Sequence, residues 1–250
     1  MTPRAIIWDF DGTLGERPGM WRRELVGALA EVLPGYELDA ERLRPHLSHG
    51  FPWHEGCTEH PELSTADLWW EHLQRLLAAA LVAVGIAEAD AAQVARATRQ
   101  RVVDPASYVI YDDAFPVLEA LSARGWRHVI LSNHVPELPQ MAEALGIAQR
   151  VDAVLSSANL GYDKPHPETY RMAREAAGCD LAGDEPPPYN SAAGHGSPPY
   201  RIWMVGDNPV ADVEGPEAAG IPAILVRNPE GQAARKAADL WAAARIIEQS

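Results

Sequence analysis

Short apolar runs, each closed by a polar residue, punctuate this chain. The first is Ala5-Ile6-Ile7-Trp8, which ends in acid at Asp9. Similar runs stand at Val129-Ile130-Leu131 and over residues 151–155, 202–205 and 223–226. Runs this short with no polar alternation predict strands buried on both faces. Between them, helical patterns occupy residues 115–123, 137–145, 168–177 and 210–219. Pro116, Pro136 and Pro209 sit at or beside helix starts, and Gly125, Gly146 and Gly220 near the ends, the asymmetry that helix boundaries show. Strand and helix therefore alternate from about residue 115 onward, which predicts an α/β fold with a doubly wound parallel sheet.

Residues 15–107 break that rhythm. They hold helical stretches over 21–33, 65–84 and 87–103 and no convincing strand. The expected organisation is a Rossmann-like core from residues 1–14 and 108–250, with 15–107 inserted as a helical domain. A second insertion, 183–199, is rich in Pro, Gly, Ser and Ala and reads as a flexible surface loop. Tyr189 and His195 within it are poor candidates for chemistry.

Composition narrows the function. A formal net charge of -14 argues against nucleic acid or an anionic membrane as partner. Only Cys57 and Cys179 are present, too few for a disulfide framework and typical of a reducing compartment. The chain runs almost directly into its first strand, and its longest apolar stretch, residues 76–87, is too short to span a bilayer. The expectation is a cytoplasmic protein acting on a small molecule, with no oligomeric state assigned.

The polar residues closing the strands carry the chemistry. Asp9 and Asp11 lie two apart and can point to the same side of extended chain, so both carboxylates can face one substrate. Gly12 allows a tight turn beside them, and Thr13 follows. Ser132 and Asn133 close another strand and offer a hydroxyl and an amide to phosphoryl oxygens. Lys164 supplies a cation, on a loop stiffened by Pro165 and Pro167. Asp207 and Asp212 follow a further strand, where two acids repel unless a cation compensates. Magnesium takes oxygen ligands, one or two of them carboxylates, and Asp9 with Asp207 would provide that pair. Ligands bind past the carboxyl ends of parallel strands, so the four clusters should meet in one crevice.

In order and after strands, these clusters closely resemble the haloacid dehalogenase superfamily of hydrolases. DxDGT matches Asp9, Asp11, Gly12 and Thr13; the second motif matches Ser132 and Asn133; the third is Lys164; GDxxxxD matches Gly206, Asp207 and Asp212. The resemblance implies that Asp9 is the nucleophile and Asp11 the general acid and base. It also implies a Mg2+ cofactor held by Asp9, the Asp11 carbonyl and Asp207, with Asp212 in support, and a helical cap in residues 15–107. Retention of Asp11 favours phosphate chemistry over halide displacement, and Gly12-Thr13 resembles the phosphatases of the group more than its sugar phosphomutases, which carry Gly-Val. The implied activity is hydrolysis of a small phosphorylated metabolite through an aspartyl-phosphate. A phosphomutase, or a silent phosphate-binding module, are the alternatives.

Trp21, Trp53, Trp69 and Trp70, with five histidines and Arg22 and Arg23, populate the inserted segment, where packing and surface roles are the expectation. His54, Cys57 and His60 have no second pair of ligands to complete a zinc site. His134, beside Asn133, should lie at the crevice mouth, contacting substrate or capping the next helix. His166 should steady the lysine loop by a hydrogen bond.

Overall fold

A computed structural model describes residues 3–55, 58–63, 65–179 and 201–249. Eight strands are present among them: β1 (Arg4–Trp8), β2 (Gly15–Glu16), β3 (Val109–Ile110), β4 (Arg127–Ser132), β5 (Ala153–Ser156), β6 (Arg201–Gly206), β7 (Ala223–Val226) and β8 (Lys236–Ala237). Six form one parallel sheet in the order β5-β4-β1-β6-β7-β8. The first strand in sequence is thus interior, with Ala5 opposite Arg127 on one side and Ile202 on the other.

The unbroken apolar runs are explained by the two faces. Ile6, Trp8, Ile130, Trp203, Val205 and Ile224 point into one hydrophobic cluster, while Ala5, Ile7, Val129, Leu131, Met204 and Leu225 enter the other. Alternation along each strand sends successive side chains to opposite cores. Both are built of buried apolar side chains, so each strand position favours an apolar residue.

The helices are α1 (Met20–Val32), α2 (Ala66–Ala83), α3 (Glu88–Val102), α4 (Ala114–Ser122), α5 (Leu138–Ala144), α6 (Ser157–Leu160), α7 (Pro167–Ala176), α8 (Gly215–Ala218) and α9 (Leu240–Gln249). The first three lie between β2 and β3, where α1 and α2 both pack on α3. β2 and β3 pair antiparallel, Gly15 with Ile110, so the two connections to this helical segment run side by side. This short pairing was not expected from the sequence. Trp70 and Arg99 tie the segment to the rest: both donate to Glu137, immediately before α5, at 3.0 and 2.7 Å.

The 210–219 stretch is not one helix. Residues Pro209–Glu214 form a π-helical turn and α8 follows. Pro216 has no N–H to return to the preceding turn, and the Gly215 N–H closes instead on the Val210 carbonyl. The 183–199 insertion, with Tyr189 and His195, lies outside the described residues, as does Cys57.

Candidate active site

The carboxyl ends of β1, β4 and β6 and the loop after α6 open into one cavity of about 540 Å³. Asp9, Asp11, Gly12, Ser132, Asn133, His134, Lys164, Asp207 and Asp212 all line it. Of the residues expected at the site, only Thr13 is set back: it is fully buried, and its carbonyl accepts from Arg227 Nε at 3.2 Å.

Lys164 is the hub. Its Nζ donates to Asp9 Oδ1 at 2.8 Å and to Asp212 Oδ1 at 2.6 Å, with all three side chains buried. Burial alone would lower the lysine pKa, but the charges of Asp212 and Asp9 outweigh it and raise it. The lysine is therefore a fixed cation. Asn133 holds its backbone from both sides: Nδ2 donates to the Lys164 carbonyl at 2.8 Å, and Oδ1 accepts from the Lys164 N–H at 2.7 Å. The Asn133 side chain, expected to face phosphate, is engaged in positioning the lysine loop.

Asp212 is fully buried on the π-helical turn, and its second oxygen accepts from the Asn208 N–H at 2.9 Å. Both of its oxygens are occupied. Gly206 makes room for it, since a Cβ there would stand 2.2 Å from the Asp212 carboxyl carbon. Gly12 does the same for Asp207: at φ +77 its missing Cβ would lie 2.4 Å from Asp207 Oδ2.

Asp9, Asp207 and Asp212 each bring an oxygen within 4.8 Å of the others. Burial first, then the charges of Asp9 and Asp212, push Asp207 up to about 7. No hydrogen bond among the described residues satisfies the Asp207 carboxylate, and Lys164 alone offsets three acids. A hard divalent cation fits this donor set, because it takes carboxylate oxygens and relieves their repulsion. Asp207 and Asp9 could supply ligands to such an ion, since both oxygens of Asp212 are engaged.

Asp11 has a different environment. Burial pushes it up to about 6, Arg17 and Lys164 pulling against that and Asp9 adding to it. Its Oδ1 has no partner, and its Oδ2 lies 3.6 Å from His134 Nε2. His134 is buried and hydrogen-bonded to the Tyr108 hydroxyl at 2.8 Å. Burial and the charge of Arg17 push it down to about 3, so it is neutral. It does not cap α5; it lines the cavity as a buried side chain beside Asp11.

Across the cavity, the helical segment contributes Met20, Trp21, Leu47, Phe51, Trp53 and His54. Trp69 and Trp70 instead pack in its core. Arg22 pairs with Glu41, and Arg23 donates to the Pro18 carbonyl. His60 faces Asp163 at 3.5 Å. His166 caps α7, accepting from the Glu168 N–H at 3.2 Å, so its hydrogen bond anchors the helix after the lysine loop. The sequence reading missed Arg17, Tyr108 and Asn208. Asn208 before Pro209 was a legible helix cap; Arg17 and Tyr108 carry no local signal.

The fold is a doubly wound α/β sheet with a carboxylate–lysine centre at the carboxyl ends of its strands. More specifically, residues 3–220 match the model of the haloacid dehalogenase-like hydrolases, and the chain belongs to that family. It is 32% identical over 120 residues to a phosphoserine phosphatase of Thermus thermophilus, an alignment covering 48% of this chain and 41% of that protein. The chain thus matches well under two thirds of that relative's length. The magnesium-bound HAD-hydrolase YfnB of Bacillus subtilis superposes with a TM-score of 0.69 at 16% identity, covering 99% of this chain and 100% of that one. A 2-haloacid dehalogenase of Pseudomonas syringae gives 0.63 at 20% identity, covering 98% of both. At these identities the two structures speak for the fold alone.

Proposed function

We propose that this protein is a magnesium-dependent phosphomonoester hydrolase that acts on a small phosphorylated metabolite through an aspartyl-phosphate. The observation that carries it is the pair Asp9 and Asp11 in one cavity: the first held against the Lys164 cation at 2.8 Å, the second with a raised pKa and an unpartnered oxygen. A nucleophile needs charge; a proton donor needs a pKa near working pH. Asp9 is hydrogen-bonded to a buried cation whereas Asp11 Oδ1 has no hydrogen bond among the described residues, which suits that division of labour.

In the first step Asp9 attacks phosphorus in line. The bond to the leaving oxygen breaks, and Asp11 gives that oxygen its proton. Asp11 then takes a proton from a water, which attacks the same phosphorus. The bond to Asp9 breaks and inorganic phosphate leaves. Lys164 keeps the Asp9 carboxylate aimed and neutralises phosphoryl charge. Asp9, the Asp11 carbonyl and Asp207 would hold Mg2+, which supplies further charge neutralisation; Asp212 braces Lys164. Ser132, buried at the end of β4, faces the phosphoryl oxygens.

On this reading residues 15–107 form a cap whose aromatic wall closes over the substrate, and residues 1–14 with 108–250 form the core. Asp11 sets the protein apart from halide displacement, which needs no proton donor there. A cytoplasmic setting fits the two cysteines, and no helix among the described residues is long and apolar enough to cross a membrane.

The test is phosphate release from a panel of phosphorylated metabolites and an aryl phosphate, with and without Mg2+, by wild type and Asp9→Asn. Release that vanishes in the variant supports the reading. Undiminished release in Asp9→Asn would reject the covalent route, and transfer of phosphate within the substrate would favour a mutase.

A further inference from the structure

Two neighbouring residues just past β7 reach both acid-bearing loops. Arg227 donates from Nε to the Thr13 carbonyl at 3.2 Å, on the loop of Asp9 and Asp11. Asn228 donates from Nδ2 to the Asp207 carbonyl at 2.8 Å. Arg227 turns the chain at φ +58, a left-handed conformation that is costly for any residue with a Cβ. Glycine would take it freely, so what the arginine adds is its side chain. The guanidinium is fixed by an ion pair with Asp113, by the Thr13 carbonyl and by the Tyr111 ring 4.0 Å away. The Tyr111 hydroxyl in turn donates to Glu16 on β2 at 3.1 Å. The loop of Asp9 and Asp11 is thus held at Thr13 and again at its exit.

Asn228 is braced as well. Its Oδ1 accepts from the Gly231 N–H at 2.8 Å, closing a turn, and Lys236 donates to the carbonyls of Pro229 and Gly231 at 2.6 and 2.8 Å. Gly231 lets that turn lie against the Asp207 loop, since a Cβ there would stand 3.0 Å from Pro209 Cγ.

We propose that Arg227 and Asn228 are positioning residues that fix the span between the Asp9 loop and Asp207, and so make the cation site selective for Mg2+ over Ca2+. The proposal rests on the magnesium reading of the site and names what sets its dimensions. Asp9 and Asp207 approach from different strands, and their charges repel. Mg2+ needs near-octahedral oxygens at about 2.0–2.1 Å, whereas Ca2+ accepts looser sets at about 2.3–2.6 Å. Carboxylates free to drift apart would suit the larger ion. Tying both loops to one braced corner removes that drift. Charge alone predicts the opposite effect: Arg227 is a cation near an acidic site, so its removal should tighten binding of either ion.

Calorimetric titration of the metal-free protein with MgCl2 and with CaCl2 tests this in wild type, Asn228→Ala, Arg227→Met and Arg227→Lys. Wild type should bind Mg2+ the more tightly. Asn228→Ala and Arg227→Met should each raise the Mg2+ Kd by roughly 10- to 100-fold, as loss of an outer-shell contact does, and the Ca2+ Kd much less. Arg227→Lys keeps the charge but loses the planar donors, and should follow Arg227→Met. Unchanged Mg2+ affinity in Asn228→Ala, or in both Arg227 variants, overturns the corner and leaves the magnesium phosphatase standing. Equal weakening of both ions overturns it too, as does tighter Mg2+ binding by Arg227→Met. Absence of Mg2+ binding by wild type defeats the magnesium reading and the corner together. Where circular dichroism shows a variant unfolded, the others decide. If none folds, the wild-type comparison does, and equal Kd values for the two ions overturn the proposal.

Discussion

Lys164 donates to Asp9 at 2.8 Å across 155 positions of sequence, and both side chains are buried. The same ammonium holds Asp212. Replacing it by Met leaves two buried carboxylates without their cation. Lys164→Met should lower turnover by about 100-fold or more and cost on the order of 3 kcal/mol of stability. Aryl phosphate kinetics and urea unfolding measure both. Wild-type turnover in a folded Lys164→Met protein would remove the lysine from the chemistry.

Asp11 is assigned the proton given to the departing oxygen. Its loss should matter most when that oxygen is basic. Asp11→Asn should therefore slow an alkyl phosphate by roughly 10²- to 10⁴-fold and an activated aryl phosphate much less. Equal slowing of both esters would assign Asp11 some other task.

Among the described residues no hydrogen bond reaches the Asp207 carboxylate, which sits in surplus negative charge. Chelation should abolish phosphate release, and Mg2+ should restore it. Mg2+ at a hundred times its Kd should also stabilise the fold by about 2.7 kcal/mol, seen as a rise in Tm. Asp207→Asn should lose most of that rise. A variant with the full thermal response would place the cation elsewhere.

His128 stands on β4, beside Ile6 of the first strand, and accepts the Trp8 indole N–H at 3.0 Å. Burial holds its pKa down at about 4, against an ordinary 6.5. In the folded protein it stays neutral while the unfolded chain protonates. Its contribution is therefore complete above pH 6.5 and is lost as pH falls toward 4, by up to about 3 kcal/mol. His128→Gln, which still offers Trp8 an acceptor, should unfold in urea with a visibly flatter dependence over that window. Parallel curves for the two proteins would show that His128 protonates equally in both states.

The parts of this molecule that could be read from its sequence are those with a strong local cause. β1, β4, β6 and β7 were legible because both faces are buried, so apolar residues run unbroken and the site residues follow at once. β2, β3 and β8 are two residues each and leave no pattern. α9 was missed despite an apolar face formed by Leu240, Ala243, Ala244 and Ile247. Asp9, Asp11, Lys164, Asp207 and Asp212 were legible as a set, because five charged or acidic tips after strands need a common purpose. Asn133 shows where such reading stops: its amide serves a backbone 31 positions away, a contact that only the fold creates. Arg17 and Tyr108 meet His134 and Asp11 for the same reason.

β1, which leads into Asp9, lies in the middle of the sheet, flanked on one side by β6, nearly two hundred positions later in the chain. Until that neighbour arrives, Ile6, Ile7 and Trp8 form a sticky, half-paired edge of the kind that invites aggregation. The same delay withholds Asp207 and Asp212, so a nascent chain carries Asp9 without the two acids that meet it in the fold. Topology itself keeps the three acids apart until β6 has joined the sheet.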